Sequence, residues 1–228
     1  MRRQKAIILL SGGIDSCVTA AIANENHQLC CLHINYGQIT STREEKAFNE
    51  ITKFFNVKNK LSANLRIDYL KKIGGSSLTN KNLKVPENSQ NSIPNTYVPF
   101  RNANLLAIAV SWAEVIDAKK IFIGAMEEDS SGYPDCRESF FKAYNQMIQL
   151  GTKFTTKISI ETPILHKSKA EVVKIGLKLK APLHLTWSCY QNSEIACGVC
   201  ESCKLRIKAF QNAGLKDSIP YKIPIKWK

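Results

Sequence analysis

Lys5-Ala6-Ile7-Ile8-Leu9-Leu10-Ser11-Gly12-Gly13-Ile14-Asp15-Ser16 sets the reading of everything that follows it. Lys5–Leu10 is an apolar run without alternation, closed by a serine and two glycines, as in a strand buried on both faces of a parallel sheet. Asp15–Asn26 then reads as a helix with Val18, Ile22 and small alanines on one side. A strand that turns through two glycines into a helix makes an anion cradle. Gly12 and Gly13 tolerate positive φ and let backbone N–H groups approach an oxyanion, and the helix start adds unpaired donors and partial positive charge. Ser11 and Ser16 offer hydroxyls. Asp15 cannot attract phosphate itself; it either holds a Mg²⁺ ion or orients the loop. No lysine stands here, so this is not the Gly-x-x-x-x-Gly-Lys-Ser/Thr loop.

Outward from that unit, apolar runs alternate with helical stretches. Gln28–Ile34 is a second buried strand, and Ser41–Phe55 is a helix that Ser41 or Thr42 can cap, with Glu44 and Glu45 suited to its positive end. Val57–Leu61 reads as a third strand and Asn64–Lys72 as a helix. Gly74–Asn95 is rich in Gly, Ser, Asn and Pro and reads as a long surface loop, the kind that often serves as a lid. Asn102–Ala118 is a helix, Lys120–Ala125 a fourth strand, Asp135–Gln149 a helix, Ile158–Thr162 a fifth strand and Lys169–Lys178 a helix. The expected fold is therefore α/β, a doubly wound five-stranded parallel sheet with its ligand beyond the strand C-termini. The expected division is an ATP-binding α/β domain over 1–181 and a small Cys-rich, metal-binding subdomain over 182–228.

Bulk composition excludes several classes. The 228 residues are 44% apolar and 22% charged, a soluble globular balance. The N-terminal apolar run is too short for a signal peptide and no run approaches a membrane span, so a cytoplasmic protein is expected. The net charge of +13, with a pI near 9.4, invites a nucleic-acid reading, but the lysines are scattered and no basic block forms, so no stable nucleic-acid partner is expected.

The Ser11–Ser16 hexapeptide resembles the signature of the PP-loop ATP pyrophosphatases. That resemblance implies cleavage of ATP between the α and β phosphates and transfer of AMP to an acceptor, with Leu10 to Ser16 at the nucleotide. The chain also carries eight cysteines. Cys17, Cys30 and Cys31 lie in apolar stretches and read as inert core; Cys136 lies in a polar turn. Cys189, Cys197, Cys200 and Cys203 cluster at short spacing, which in a large chain argues for metal rather than disulfides. Four thiolates close the tetrahedral shell of Zn²⁺ and leave no position for water, a structural role. A [4Fe–4S] cluster, used by some thiolating PP-loop enzymes, takes the same ligand set. Zinc is the expectation.

Five further segments narrow the resemblance: Asn35-Tyr36-Gly37-Gln38, Tyr97-Val98-Pro99-Phe100-Arg101-Asn102, Ser131-Gly132-Tyr133-Pro134-Asp135-Cys136-Arg137, Lys169-Ala170-Glu171, and Thr186-Trp187-Ser188-Cys189-Tyr190. In order and wording they resemble the QueC family of 7-cyano-7-deazaguanine synthases from Leu9 to about Tyr221. Phe100 departs from a usual glycine before Arg-Asn, and Asp217-Ser218 from a usual Asp-Pro. The resemblance implies a ligase that converts 7-carboxy-7-deazaguanine and ammonia to 7-cyano-7-deazaguanine with ATP and Mg²⁺, in queuosine precursor synthesis, as a homodimer. With no glutaminase segment attached, free ammonia is the expected nitrogen source. Asp15, Arg101 and Lys169 are the expected catalytic residues, the last two neutralising phosphate charge. Asp129 or Asp135 is expected to accept from the ring N–H groups, Tyr133 or Trp187 to stack on the base, and Arg137 to fork onto the substrate carboxylate. A tRNA-thiolating PP-loop enzyme is the alternative reading. A zinc-bearing nucleic-acid module without catalysis would leave the phosphate loop unexplained.

Overall fold

The structure, a computed structural model, describes residues 3–80, 83, 95–127 and 133–227. Five strands form one sheet: β1 (Lys5–Leu9), β2 (Gln28–Asn35), β3 (Ser62–Arg66), β4 (Lys120–Ile123) and β5 (Ser159–Glu161). Their order is β3-β2-β1-β4-β5 and every pairing is parallel. The apolar run of β1 places it at the centre, where a strand is covered on both faces. Ala6 and Ile8 face one core with Leu10; Ile7 and Leu9 face the other. Each fully buried isoleucine there contributes about 1.5–3 kcal/mol.

Helices α1 (Ile14–Asn24), α2 (Ser41–Phe54), α6 (Lys169–Lys178) and α7 (Glu201–Ala213) supply the first core; α4 (Arg101–Ile116) and α5 (Glu138–Gly151) supply the second. The short α3 (Tyr69–Ile73) lies near Tyr36 and Val98. Cys17, Cys30 and Cys31 are fully buried, and burial pushes their thiols up to about 12, 11 and 12, which bears out inert core roles. Beyond Pro182, Ala209 and Phe210 of α7 enter the first core beside α1 and α6. Among the described residues no helix is long and apolar enough to cross a membrane.

One stretch corrects the sequence reading. The third strand is not Val57–Leu61 but Ser62–Arg66; Asn59–Leu61 is a single 3₁₀ turn, and the helix expected over Asn64–Lys72 shrinks to Tyr69–Ile73. β3 is an edge strand whose last three residues are exposed, so it needs partners rather than apolar side chains, and β2 supplies them from Cys31 to Asn35. The helix expected from Asp135 starts later: Pro134–Cys136 is a 3₁₀ turn, Arg137 is extended, and α5 begins at Glu138. Most of the expected 74–95 loop lies outside the described residues; its described ends are tied by Ser77 N donating to Asn95 O at 2.9 Å.

Strand order reverses direction across β1 and β4, so a crevice opens at their C-terminal ends. β1 runs from there into Ser11–Ser16.

Candidate active site

The phosphate loop is shaped by two close approaches. Gly12 sits at φ +90°, and a Cβ there would lie 2.8 Å from Ala47 Cβ and 2.9 Å from the Glu44 carbonyl, so α2 presses against the loop. Gly124, just past β4, faces the backbone of Asp15 so closely that a Cβ would meet its carbonyl at 2.8 Å. The two serines bond within the loop. Ser16 Oγ donates to Gly13 O at 3.0 Å and lies 3.1 Å from Ser11 Oγ, which accepts from Gly13 N at 3.3 Å. Ser16 is buried, so its hydroxyl braces the turn, whereas Ser11 is exposed towards the pocket.

Lys169 comes to this loop from far along the chain. Ser168 caps α6, accepting from Glu171 N while the Glu171 side chain accepts from Ser168 N, a reciprocal box that fixes Lys169 at the first helical position. Lys169 Nζ then meets Asp15 Oδ2 at 2.6 Å. Asp15 Oδ1 is buried and has no hydrogen-bond partner among the described residues. A carboxylate oxygen left open beside an anion cradle is a hard ligand suited to Mg²⁺.

A pocket of about 360 Å³ extends from the loop. Gly124, Ala125 and Met126 form one side, and Arg101, Tyr133 and Cys136 another. Half-buried Arg101 donates from Nη1 to Tyr36 Oη at 3.2 Å, with its guanidinium 5.6 Å from that ring. Among the described residues no carboxylate forms an ion pair with it, although Asp135 lies near enough to favour its charge. Tyr36 stays neutral because burial pushes its phenol up, only partly offset by Arg101. The Tyr133 hydroxyl lies 2.6 Å from Thr96 Oγ1. Asp135 is 3% exposed and stands behind the wall: its Oδ2 accepts from Asn102 N at 2.8 Å and its carbonyl from Asn102 Nδ2, holding the first turn of α4 on which Arg101 sits. Arg137 is exposed and not in the wall. Asp129 lies outside the described residues.

Several pocket residues escaped the sequence reading. Glu44 lines the wall, accepting from Gln38 Nε2 at 2.8 Å and Thr40 Oγ1 at 2.5 Å. Glu201, at the start of α7, and Arg206 close the far side. Arg206 is buried and bidentate on Asp217, at 2.6 and 3.1 Å; it also donates to Thr186 Oγ1 and the Leu183 carbonyl. Tyr221 Oη donates to Asp217 at 2.7 Å. Apart from the bonds of Arg206 to Thr186 and Leu183, these pairings are near in sequence, but residue type and spacing alone do not mark them as pocket pairs; Gly124, a glycine ending a strand at the switch point, left a signal that could have been read.

The four clustered cysteines meet as expected. Their sulfurs lie within 4.8 Å of one another, three of the residues buried. Backbone N–H groups point at the sulfurs: Asn192 and Cys197 donate to Cys189 Sγ, and Val199 and Cys200 to Cys197 Sγ, at 3.3–3.4 Å. Such donors stabilise thiolates. Cys203 donates to Cys200, which pulls the Cys200 thiol down to about 5 and pushes Cys203 up. The set can hold a metal ion, with donor chemistry that suits Zn²⁺.

The model of the family described as Queuosine biosynthesis protein QueC matches residues 5–214. The chain belongs to the QueC family. Its similarity to curated members of that family is high: a 7-cyano-7-deazaguanine synthase from Chloroherpeton thalassium is 52% identical over 222 residues, 96% of this chain and 97% of that protein. Another, from Acidobacterium capsulatum, is 49% identical over 226 residues with the same coverage. Among solved structures, U34-tRNA thiolase NcsA from Methanococcus maripaludis with its [4Fe-4S] cluster is similar at a TM-score of 0.45 and 16% identity, covering 92% of this chain and 65% of that one. So distant a likeness decides nothing about the metal. Phe100, which departs from the glycine that the resemblance implied, adopts φ +57°, ψ +26°. A non-glycine residue there costs about 1 kcal/mol. It is held by Phe100 N donating to Tyr97 Oη at 2.9 Å and by Asn104 Nδ2 donating to its carbonyl at 2.7 Å.

Proposed function

We propose that this chain converts 7-carboxy-7-deazaguanine and ammonia to 7-cyano-7-deazaguanine at the expense of ATP, the activity for which its curated relatives are named. The observation that carries the reading is Arg101: a permanent cation in the pocket wall, without an ion-paired carboxylate among the described residues and facing the same cavity as the phosphate loop. A half-buried, uncompensated guanidinium is costly unless an anion joins it. An acid and a nucleotide bring such anions.

A carboxylate becomes a nitrile by losing two oxygens, each a poor leaving group. In the first stage a carboxylate oxygen attacks the α-phosphorus of ATP, pyrophosphate leaves, and an acyl adenylate forms. Ammonia displaces AMP and leaves the amide. In the second stage the amide oxygen takes AMP from another ATP; loss of AMP and the amide protons gives the nitrile. The chain's residues serve both stages. The Leu10 to Ser16 turn receives the phosphates, through the N–H groups that are not already donated as those of Leu10 and Gly13 are, and Arg101 and Lys169 oppose the charge that builds on the transferring group. Asp15 would hold a Mg²⁺ ion through its open Oδ1, and that ion would supply charge neutralisation at the phosphates. Tyr133 offers a ring face to the deazapurine, and Asp129 an acceptor for its N–H groups. Asp135 keeps Arg101 in place, and Arg137, away from the pocket wall, meets the substrate only at its rim. Cys189, Cys197, Cys200 and Cys203 hold Zn²⁺ as a structural ion.

The test is direct. Purified protein is incubated with ATP, Mg²⁺, ammonium and the carboxylic acid, and products are read by mass. The expected products are the nitrile, AMP and pyrophosphate, with the amide appearing transiently. No nitrile, or modification of added tRNA instead, overturns the reading.

A further inference from the structure

Trp187 joins the two working parts of the molecule. Its backbone N–H donates to the Gly12 carbonyl at 2.9 Å, while Ala47 and the Glu44 carbonyl of α2 press close to Gly12. Its indole Nε1–H reaches the other way, to the carbonyls of Cys189 at 3.2 Å and Asn192 at 3.0 Å. Those two residues belong to the cysteine knuckle: Cys189 is one of the clustered sulfurs, and Asn192 N donates to that sulfur. The ring is 5% exposed and packs in one cluster with Cys189, Cys197, Cys203 and Ala47 of α2. Arg43 of α2 lies over it, its guanidinium 4.4 Å from the ring centroid and its Nη1 buried without a hydrogen-bond partner. With a cation on its face and its N–H spent on the knuckle, Trp187 is not disposed to stack on a substrate base.

We propose that Trp187 is a positioning residue that couples metal occupancy of the cysteine knuckle to nucleotide affinity at the phosphate loop. The inference rests on the nucleotide reading given above. A four-cysteine knuckle is ordered by its metal, and an ordered knuckle presents the carbonyls that the indole needs. The indole, so held, sets the backbone N–H that fixes Gly12. Linkage makes the effect reciprocal: whatever metal does for nucleotide binding, nucleotide does for metal retention.

The experiment uses the full chain loaded with zinc and a chromophoric chelator in excess. Zinc release is followed with and without saturating α,β-methylene-ATP and Mg²⁺, and binding of that nucleotide is measured separately by calorimetry. Nucleotide is expected to slow release roughly fivefold or more. Trp187→Phe keeps the ring under Arg43 but removes the indole donor. It is expected to lose most of that protection and to raise KM for ATP while leaving KM for ammonia unchanged. If that variant does not fold, Trp187→Leu, which also lacks the indole donor, carries the same comparison. Nucleotide that binds but leaves zinc release unchanged overturns the coupling, and full protection in both variants overturns its assignment to Trp187. A wild-type protein that binds no nucleotide overturns the reading beneath it and the coupling with it.

Discussion

Two walls of the same pocket each bring an arginine to it, and the two are bonded in opposite ways. Arg206, on the wall built by the C-terminal segment, is buried against Asp217 in a bidentate pair, with Thr186 and Leu183 taking further N–H groups and Phe210 under the guanidinium. Arg101, on the wall built by α4, has one side-chain hydrogen bond among the described residues, to a phenol. A saturated arginine belongs to the architecture; a charge held without a counter-ion waits for a ligand. The sulfur cluster extends the first pattern, since its backbone donors are already aimed. Asp15 Oδ1, without a partner among the described residues, extends the second.

The sharpest way to break this contrast is to strip the metal. Structural zinc sites contribute roughly 10–16 kcal/mol in small metal-folded peptides, as much as the whole stability of many domains. Chelation should therefore lower the melting midpoint steeply and open the chain after residue 187 to limited proteolysis, while the β1–β4 core resists longer. Arg206→Met comes next. It leaves Asp217 buried and unpaired, with an expected loss of about 3–5 kcal/mol in urea melts; adding Asp217→Leu should recover much of it. Arg101→Leu should do the reverse, leaving the urea midpoint close to the wild type and lowering kcat by about 10²- to 10³-fold. A large stability loss in Arg101→Leu would end the distinction. The smallest effect belongs to Phe100→Gly, which relieves a left-handed side-chain residue at the pocket rim and should stabilise by about 1 kcal/mol or less, visible as a small rise in melting temperature.

What was legible in the chain was what is local. β1, the glycine turn and α1 announce themselves in consecutive residues, as does α6 with its Ser168–Glu171 box, and the four cysteines lie close enough in sequence to be read as one ligand set. β3 was not legible, because Ser62-Ala63-Asn64-Leu65-Arg66 gains its strand identity from hydrogen bonds to β2 rather than from any pattern of its own. The site divides the same way. Asp15, Arg101, Tyr133 and Lys169 line the pocket as the motifs implied. Asp135 turned out to support α4 from behind, because a buried carboxylate and the open N–H of Asn102 satisfy each other. Glu44 and the Arg206–Asp217 pair lie at the pocket because the segments that carry them fold onto it, and residue type and spacing do not record that.

The hydrogen bond from Trp187 to Gly12 also bears on how the molecule is made. Gly12 is synthesised well before Trp187, the residue that clamps it. At roughly 5–20 residues per second of synthesis, the loop emerges on the order of ten seconds or more before the residue that fixes it. A nascent or truncated chain can assemble its central strands, yet its glycine turn stays unclamped. The glycine turn thereby gains its clamp only when the segment that carries the cysteine cluster has been delivered.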